Sequence, residues 1–373
     1  MKVLRAGAYE AFYDMPLQID WCLTKRCNYH CSYCWYYGKG KNTPPIVPFS
    51  SLEQLRAAVN NLASLNRPWY DLIFTGGEPT LHPHMIDLIY MLNDTLQDRL
   101  NNIMVISNGS RNARLYQKIA ELAKTINISM QISVHTDHVD MAHILEIIEN
   151  LSSDVSLYFP LMFNPAKREE VHLIYDIMYE YRKIYPFDME VVTIRIRDNV
   201  DPRYVPEDLL WQEEAIKRFT ELKSVAKLKV PFPKKPAREL HMFHDVEDKG
   251  ERKIVDTENF TYNLRKGFCS FTNMFCTANT SNLRIEENGL CRSMICPYGI
   301  GLFNIYEDGA IKAVRDRFIH AIKCPKNICG CPTSNFSPKF ASFQEAQKFM
   351  EIFDAKQQKL FDEYAATHAI KAI

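Results

Sequence analysis

The chain has 373 residues, of which 46% are hydrophobic and 24% are charged. This length predicts one large domain with a smaller appendage, and this composition excludes global disorder. The 45 basic and 45 acidic residues cancel and no apolar run is long enough to span a bilayer, so neither nucleic acid nor a membrane is an expected partner.

Strands alternate with helices over the first half of the chain. The predicted strands cover residues 17–24, 70–75, 103–107, 128–135, 155–163 and 189–197. The predicted helices cover residues 51–65, 84–97, 112–124, 139–151, 168–184 and 207–226. Ser50 and Glu53 predict a capping box at the start of the first helix. Such βα units in series predict a parallel sheet with right-handed crossovers.

Several predicted strands are apolar on one face and polar on the other. The fourth strand has the apolar Met130, Ile132 and Val134 alternating with the polar Gln131, Ser133 and His135. A parallel strand covered on both faces would be apolar throughout. The alternation therefore favours a partial (βα)6 TIM-like barrel with a polar lumen over a doubly wound sheet. Its site is expected at the C-terminal ends of the strands.

The second half of the chain predicts a linker and a small domain. Residues 227–238 carry three prolines and four lysines, typical of a linker, and residues 239–265 have no clear pattern. Leu283 and Ile285 alternate with polar residues before the turn Asn288-Gly289, which predicts a β-hairpin. A closing helix is predicted from Ser342 to about residue 368. The predicted division is a barrel over 1–226, a linker over 227–268 and a cysteine-rich β-hairpin/helix domain over 269–373.

The eleven cysteines form two groups separated by a long cysteine-free stretch. The N-terminus lacks the apolar stretch of a signal peptide, so a reducing cytoplasm is the expected location. Disulfides are rare there, and an odd number of cysteines also argues against complete pairing. Two groups of thiols in such a compartment indicate metal sites.

The first group places Cys27, Cys31 and Cys34 in a C-x3-C-x2-C pattern directly after the first predicted strand. Three thiolates on one loop can bind three irons of a [4Fe–4S] cluster and leave the fourth iron open. Structural zinc is the alternative, although it requires a fourth ligand that is not obvious here. Cys22 lies within the strand and is expected to point into the lumen.

The second predicted strand ends in Gly76-Gly77-Glu78-Pro79, where a barrel ligand is expected. Two glycines allow the backbone to approach a bound molecule closely, and Glu78 supplies an acceptor for an ammonium group. A tight turn closed by Gly-Gly is the alternative explanation.

Together, these cysteines and the Gly-Gly-Glu-Pro segment resemble the radical S-adenosylmethionine (SAM) superfamily, over about residues 15–200. The resemblance implies a [4Fe–4S] cluster on Cys27, Cys31 and Cys34, whose open iron takes the amino and carboxylate groups of SAM. It also implies that Tyr33 contacts the adenine and that the Gly76–Pro79 segment holds the methionyl amine. Further candidates for SAM or substrate, each also explicable as a structural hydrogen bond or turn, are Ser107, Asn108, Ser133, His135, Asn164, Arg195 and Arg197.

The second group of cysteines resembles the twitch and SPASM appendages of radical SAM enzymes, which hold auxiliary iron–sulfur clusters. The chain departs from the full SPASM pattern, so one auxiliary [4Fe–4S] cluster is expected. Its candidate ligands are Cys276, Cys296, Cys324, Cys329 and Cys331, with Cys269 and Cys291 as second choices. A zinc knuckle is the alternative.

The resemblance predicts an enzyme that cleaves SAM reductively to a 5′-deoxyadenosyl radical, which abstracts hydrogen from a substrate. Oxidation, epimerisation or cross-linking of the substrate could follow, and no catalytic acid, base or radical-quenching residue can be assigned. Since 26 residues precede Cys27, an N-terminal peptide-recognition domain is not expected, which favours a small metabolite over a peptide. Flavodoxin or ferredoxin is the expected electron donor. The alternative of another class is a non-catalytic protein, either a zinc-binding scaffold or an Fe–S electron carrier.

Overall fold

The structure is a computed structural model. It describes residues 2–6, 13–34, 36–37, 47–196, 199–222, 243–256, 270–277, 280, 282–292, 301–311, 321–325 and 338–368. Of the linker predicted over 227–268, residues 227–242 and 257–268 lie outside these ranges, and residues 243–256 form two strands.

Strands of the first half of the chain and of the C-terminal segment interleave in two sheets. The strands are β1 (Lys2–Ala6), β2 (Leu17–Thr24), β3 (Tyr70–Gly76), β4 (Leu100–Ser107), β5 (Ile128–Ile132), β6 (Val134–His135), β7 (Ser156–Phe163), β8 (Asp188–Thr193), β9 (Arg195–Ile196), β10 (Asn199–Val200), β11 (Phe243–Asp248), β12 (Glu251–Asp256), β13 (Phe275–Cys276), β14 (Asn282–Ile285), β15 (Leu290–Arg292), β16 (Gly301–Asn304), β17 (Ile322–Lys323) and β18 (Lys339–Phe340). The α-helices are α1 (Leu52–Ala63), α2 (Met85–Leu96), α3 (Ala113–Ala123), α4 (Met141–Leu151), α5 (Arg168–Arg182), α6 (Pro206–Glu221) and α7 (Phe343–His368).

The larger sheet is mostly parallel and follows the βα order of the chain. Its strand order is β16-β15-β14-β2-β3-β4-β5-β7-β6, with β8 also paired to β7. Every pair from β14–β2 through β7–β8 is parallel. The predicted α/β class with a parallel, barrel-type sheet is confirmed.

The alternation along the strands is also confirmed. Met130, Ile132 and Val134 are buried in the layer between sheet and helices, while Ser133 and His135 on the other face are half-buried. The apolar face packs on the helices because burying those side chains removes apolar surface from water. The other face is left to carry polar groups toward the lumen.

Two predicted strands are shorter or more broken than expected. The strand predicted over 128–135 changes its pairing at Ser133, whose backbone N–H donates to the Ser107 carbonyl at 2.8 Å. The strand predicted over 189–197 ends at Thr193 because the next N–H, that of Ile194, donates to the Tyr204 hydroxyl instead of to a strand. The short pair β9–β10 follows.

The capping box of α1 was predicted one residue too early. The N-cap is Ser51, which accepts from the Gln54 N–H at 3.2 Å while Gln54 Oε1 accepts from the Ser51 N–H at 2.9 Å. The Ser50 hydroxyl instead shares a hydrogen bond with His82 Nε2 at 3.0 Å. At α7 the sequence predicts a capping box of Ser342 and Glu345, and one of its two hydrogen bonds is present, since Ser342 Oγ accepts from the Glu345 N–H at 3.4 Å. Helix α6 ends at Glu221, earlier than predicted.

The smaller sheet joins both ends of the chain. Its order is β12-β11-β1-β18-β13-β17, and α7 packs beside it through the buried Phe349, Met350 and Phe353. Sequence patterning assigned neither β1 nor the β11–β12 hairpin. The predicted β-hairpin over β14 and β15 is confirmed, but β14 continues the barrel sheet by pairing in parallel with β2. The predicted division into a barrel and a C-terminal domain stays a prediction.

Within the described part of the chain, none of the helices is long and apolar enough to cross a membrane.

Candidate functional site: the cysteine loop and the strand ends around it

The loop after β2 carries the three cysteines of the C-x3-C-x2-C pattern. Cys31 is buried, and Cys27 and Cys34 are half-buried. The Tyr29 N–H points at Cys27 Sγ over 3.4 Å, and the Tyr36 N–H points at Cys34 Sγ over 3.3 Å. Hydrogen bonds to the sulfurs are among the features with which a protein tunes an iron–sulfur cluster, so the local fold suits these sulfurs as metal ligands.

The three thiols also interact electrostatically with one another. Burial raises the pKa of Cys31 to about 12, and its neighbours Cys34 and Cys27 add to this shift. Burial likewise raises the pKa of Cys27. Metal binding requires that these protons leave. Among the residues described, no three His, Cys, Asp or Glu side chains are grouped closely enough for a single metal ion. This spacing is compatible with a [4Fe–4S] cluster, because each cysteine of such a cluster binds a different iron.

The root of this loop is packed against the Gly76-Gly77 turn after β3. A Cβ on either glycine would come within 3.0 Å of backbone oxygens of residues 24–26, and Gly76 has a φ of 145°. The Gly77 N–H donates to the Thr24 carbonyl, and the Glu78 N–H donates to the Arg26 carbonyl, both at 2.8 Å. The two glycines are therefore required by the close approach of one loop backbone to another, and their contact with a ligand stays a prediction.

Glu78 is fully buried, and its carboxylate is bound by the protein's own groups. Oε1 accepts from the Ser107 hydroxyl at 2.9 Å and from both the N–H and the hydroxyl of Thr80. Oε2 accepts from the Asn108 N–H at 2.6 Å. Burial raises the pKa of this carboxyl, and these hydrogen bonds oppose the shift. Glu78 thus ties the turn after β3 to the turn after β4, with Pro79 starting a short 3-10 helix (Pro79–Leu81).

Asn108 links this network to the cysteine loop. Its side-chain nitrogen is 3.8 Å from Cys27 Sγ and donates to Asn28 Oδ1 at 3.0 Å. Asn28 in turn donates to the Ser110 hydroxyl at 2.8 Å. The turn after β4, which carries the predicted residues Ser107 and Asn108, is therefore in direct contact with the first cysteine.

His135, at the end of β6, closes the other side of the loop. Its Nδ1 lies 2.8 Å from the Tyr33 hydroxyl and 3.6 Å from Cys31 Sγ, and the Tyr33 ring stacks on it. Burial lowers the pKa of His135 to about 4, with a smaller contribution from His138. The imidazole is therefore neutral near pH 7.

A cavity of about 470 Å³ opens beside the cysteine loop and the ends of β4 to β6. Predicted residues on its wall are Asn108, Ser133 and His135. Sequence reasoning missed Asn28, Tyr29, Arg111, Asn112 and Asp140, which also line it, as does His143. The position of Asn28 and Tyr29 between two motif cysteines, and of Arg111 directly after the Asn108-Gly109 turn, is the signal that could have identified them.

Three further predicted residues are Asn164, Arg195 and Arg197. Asn164 does not line this cavity; its Oδ1 accepts from the Ala166 N–H at 3.0 Å and its amide donates to Asp137. The Asn164 side chain thus starts a short helical turn, which is the structural alternative considered for it. The backbone of Arg195 pairs with Val200 in the β9–β10 hairpin, and Arg197 lies outside the described residues.

The C-terminal cysteines are described only in part. The structure describes Cys276 and Cys324, which lie on neighbouring antiparallel segments: Cys276 is paired with Ile322, and the Cys324 N–H donates to the Met274 carbonyl at 2.7 Å. Cys269, Cys296, Cys329 and Cys331 lie outside the described residues. Cys291 is fully buried in the hydrophobic core of the barrel sheet.

A buried polar cluster lies on the lumen face beside the cysteine loop, with the buried Cys22 next to it. Arg284, from the C-terminal strand β14, forms an ion pair with Asp20 of β2 and donates to Thr75 of β3. Burial is the main cause that raises the pKa of Cys22, to about 11. Cys22 is expected in the lumen from the sequence, whereas the contribution of Arg284 was not predicted.

Known proteins similar to this chain match its barrel half. The sequence profile of the radical SAM superfamily matches residues 21–157. A UPF0026 protein of Helicobacter pylori is 30% identical over 135 residues, which are 35% of this chain and 41% of that protein. A GTP 3′,8-cyclase of Erythrobacter litoralis is 31% identical over 109 residues, 29% of this chain and 32% of that enzyme. The matched segments thus span less than half of these curated relatives.

A solved structure resembles nearly the whole chain. A histidine-tagged form of anSMEcpe with bound AdoMet has a TM-score of 0.51 at 14% identity, covering 95% of this chain and 94% of that one. At this identity the match shows a shared fold. The radical SAM domain itself is identified by the profile match, over residues 21–157 of this chain.

Proposed function

We propose that this protein is a radical SAM enzyme that cleaves SAM reductively at a [4Fe–4S] cluster bound by Cys27, Cys31 and Cys34, and abstracts hydrogen from a small metabolite. The observation that carries the proposal is the position of these cysteines. They share one loop at the C-terminal edge of a parallel barrel sheet, where barrel sites lie, and a 470 Å³ cavity opens beside that loop. The residues fit the cluster because two of the three sulfurs already face backbone N–H donors.

When bound, the cluster and SAM supply the radical chemistry, through electron transfer that gives a 5′-deoxyadenosyl radical. The contribution of the protein's own residues is to hold the cysteine loop in position. Glu78 and Asn108 hold the turns after β3 and β4 against the Cys27 side of the loop, and His135 holds Tyr33 beside Cys31. Fixing the loop in this way reduces the freedom of the reacting groups, which is the main contribution a protein can make to such a step.

The cavity wall supports SAM as the ligand. It carries amide and hydroxyl groups of Asn28, Asn108 and Ser133, and the cation Arg111, all within reach of a polar molecule of nucleoside size. Amide and hydroxyl groups can bond ribose and adenine, and a guanidinium suits a carboxylate. We propose Gly76–Pro79 as the support of the cysteine loop, with the methionyl amine bound near Glu78. Ser107 has the same supporting role through Glu78.

The substrate class is proposed on two grounds. The lumen face is lined by polar side chains, and one curated relative is named for action on GTP, a small molecule. The same proposal includes one auxiliary [4Fe–4S] cluster held by four of Cys276, Cys296, Cys324, Cys329 and Cys331, and a flavodoxin or ferredoxin as electron donor. The antiparallel pairing that brings Cys276 near Cys324 supports the auxiliary cluster.

The test is anaerobic reconstitution with iron and sulfide, followed by reduction with dithionite in the presence of SAM. We expect 5′-deoxyadenosine from the wild type and none from the Cys27→Ala variant. Cys22→Ala is the matched control, because this thiol lies on the neighbouring strand outside the three-cysteine loop, and this variant is expected to retain iron and product. If the wild type forms no 5′-deoxyadenosine above the Cys27→Ala level, the enzymatic proposal is wrong. Zinc without iron in the purified protein would favour the scaffold instead.

A further inference from the structure

The C-terminal hairpin reaches back to the start of the cysteine loop through one side chain. Glu287, in the turn between β14 and β15, is 5% exposed. Its Oε2 accepts from the backbone N–H of Lys25 at 2.7 Å, and its Oε1 lies 3.3 Å from Lys25 Nζ. Lys25 is the first residue after β2, two positions before Cys27.

The Lys25 peptide is held on both sides. Glu287 binds its N–H, and the Tyr37 hydroxyl donates to its carbonyl at 2.7 Å. The carbonyls of Thr24 and Arg26 are bound by the N–H groups after β3. Three separate parts of the chain therefore fix the root of the cysteine loop, and the most distant in sequence is the C-terminal hairpin.

The position of Glu287 is itself well determined. Strand β14 pairs in parallel with β2, so the hairpin turn lies beside the end of β2. The Tyr306 hydroxyl lies 3.5 Å from the Glu287 carbonyl. Asn61 of α1 donates to the Ile305 and Glu307 carbonyls at 2.9 and 2.7 Å. The Ile305 N–H donates to the Gly289 carbonyl at 2.8 Å, so the turn that presents the carboxylate is held to α1 through residues 305–307.

We propose that Glu287 is a positioning residue for the radical SAM cluster, through which the C-terminal segment sets the geometry of the Cys27–Cys34 loop. This inference rests on the proposed function. It requires the hydrogen bond to the peptide, not the negative charge. The neighbouring Glu286 provides the contrast, since its Oε2 is 3.9 Å from Lys25 Nζ and binds no loop peptide among the described contacts.

The variants separate these two contributions. Glu287→Gln removes the charge but keeps an oxygen that can accept from the Lys25 N–H. Glu287→Asp keeps the charge, and the flexible lysine can follow it, but the shorter side chain withdraws the acceptor from the peptide. Glu287→Ala removes both, and Glu286→Ala is the matched control.

The experiment uses the full-length reconstituted protein and two readouts besides product formation. The first is the electron paramagnetic resonance spectrum of the reduced cluster with and without SAM. The second is amide hydrogen exchange at Lys25 in the metal-free protein. For Glu287→Ala and Glu287→Asp we expect a changed SAM-bound spectrum, 5′-deoxyadenosine formation slower by about tenfold or more, and roughly tenfold faster exchange at Lys25. For Glu287→Gln and Glu286→Ala we expect wild-type spectra.

The outcomes divide clearly. If Glu287→Asp resembles the wild type while Glu287→Gln is impaired, the charge and not the peptide bond matters, and the inference is overturned. It is also overturned if all Glu287 variants match Glu286→Ala. If Glu287→Ala does not fold, the contrast between the Asp and Gln variants decides. A wild-type protein that binds no cluster contradicts the proposed function itself. If the wild type is active and the Glu287 variants behave like it, only this inference is contradicted.

Discussion

The two cysteine groups belong to regions that are assembled in different ways. Cys27, Cys31 and Cys34 lie on one loop between β2 and α1, and the strands around them pair largely in chain order. Cys276 and Cys324 lie on adjacent segments because β13 pairs with β17, and β13 in turn lies beside β18. A site on one loop is visible in residue spacing, whereas a site built from distant short strands is not. The first group was therefore assigned ligand by ligand, and the second only as a set of candidates.

The largest effects are expected when one cysteine is removed from each group, and they should differ between the two groups. Cys31→Ala is expected to abolish 5′-deoxyadenosine formation and to lower the iron content by about four per chain, because a [4Fe–4S] cluster is destabilised when one of its cysteine ligands is removed. Cys324→Ala is expected to lower iron by a similar amount, from about eight to about four. It should keep the spectral change that SAM causes at the first cluster. Iron and sulfide analysis with electron paramagnetic resonance measures both.

An equal loss of the SAM-dependent signal in both variants would show that the two groups do not form independent sites. A wild type with about four irons per chain would leave only the loop cluster.

The next effect concerns the ion pair that joins the regions. Arg284→Met leaves Asp20 buried without its partner, and we expect a loss of about 3–5 kcal/mol in the free energy of unfolding near pH 7. Burial already raises the pKa of Asp20 above its ordinary value of 3.8, and Arg284 opposes that shift. The folded state therefore holds this proton more tightly than the unfolded state, so stability falls as pH rises through the folded pKa. Without Arg284 this pKa rises further, so the fall in stability extends to higher pH and is larger in total.

Denaturant unfolding between about pH 4 and pH 7 measures this slope. Arg292→Met is the control, because Arg292 lies 3.8 Å from Glu286 near the surface, and a change within about 1 kcal/mol is expected. A pH slope equal to that of the wild type would mean that Arg284 does not compensate the Asp20 charge.

The barrel could be predicted because its signals are local. Strand β2 matches its predicted bounds at both ends, and the alternation of Met130 to His135 gives the correct buried face. Strand β1 could not be predicted in this way, because Lys2–Ala6 finds its partners in β11 and β18 at the other end of the chain. Short strands whose partners are distant in sequence carry little periodicity of their own.

Prediction of the site from the sequence is limited in the same way, because contacts between distant residues leave no local pattern. Residue spacing identified the three cysteines and the turns after β3 and β4. It did not indicate which contacts require the particular residues found in those turns. The glycines pack on residues 24–26, and Glu78 binds Ser107 and Asn108. Glu287 could not be predicted at all, because 262 positions separate it from Lys25.

A substitution at Gly77 tests the packing of the turn after β3 against the cysteine loop, and its expected effect is smaller. Gly77→Ala places a Cβ within 3.0 Å of the Lys25 and Arg26 carbonyls, and we expect a loss of about 1–3 kcal/mol together with reduced iron binding. Gly250→Ala, in the turn between β11 and β12, meets no atom within 4 Å but has a φ of 84°. It should cost about 1 kcal/mol from backbone strain alone and leave iron unchanged. Iron loss in both variants would contradict a specific role of Gly77.

The smallest expected effect compares the helix caps of the two regions. At α1 the bonds between Ser51 and Gln54 are reciprocal, at 3.2 and 2.9 Å, whereas at α7 the Glu345 N–H reaches Ser342 Oγ at 3.4 Å. Since a cap contributes by satisfying an otherwise unpaired N–H, the better-formed cap should contribute more. We expect Ser51→Ala to cost about 1 kcal/mol and Ser342→Ala about half of that, measured by denaturant unfolding. The opposite order would mean that cap geometry does not determine the contribution of these serines, and that the surrounding sheet does.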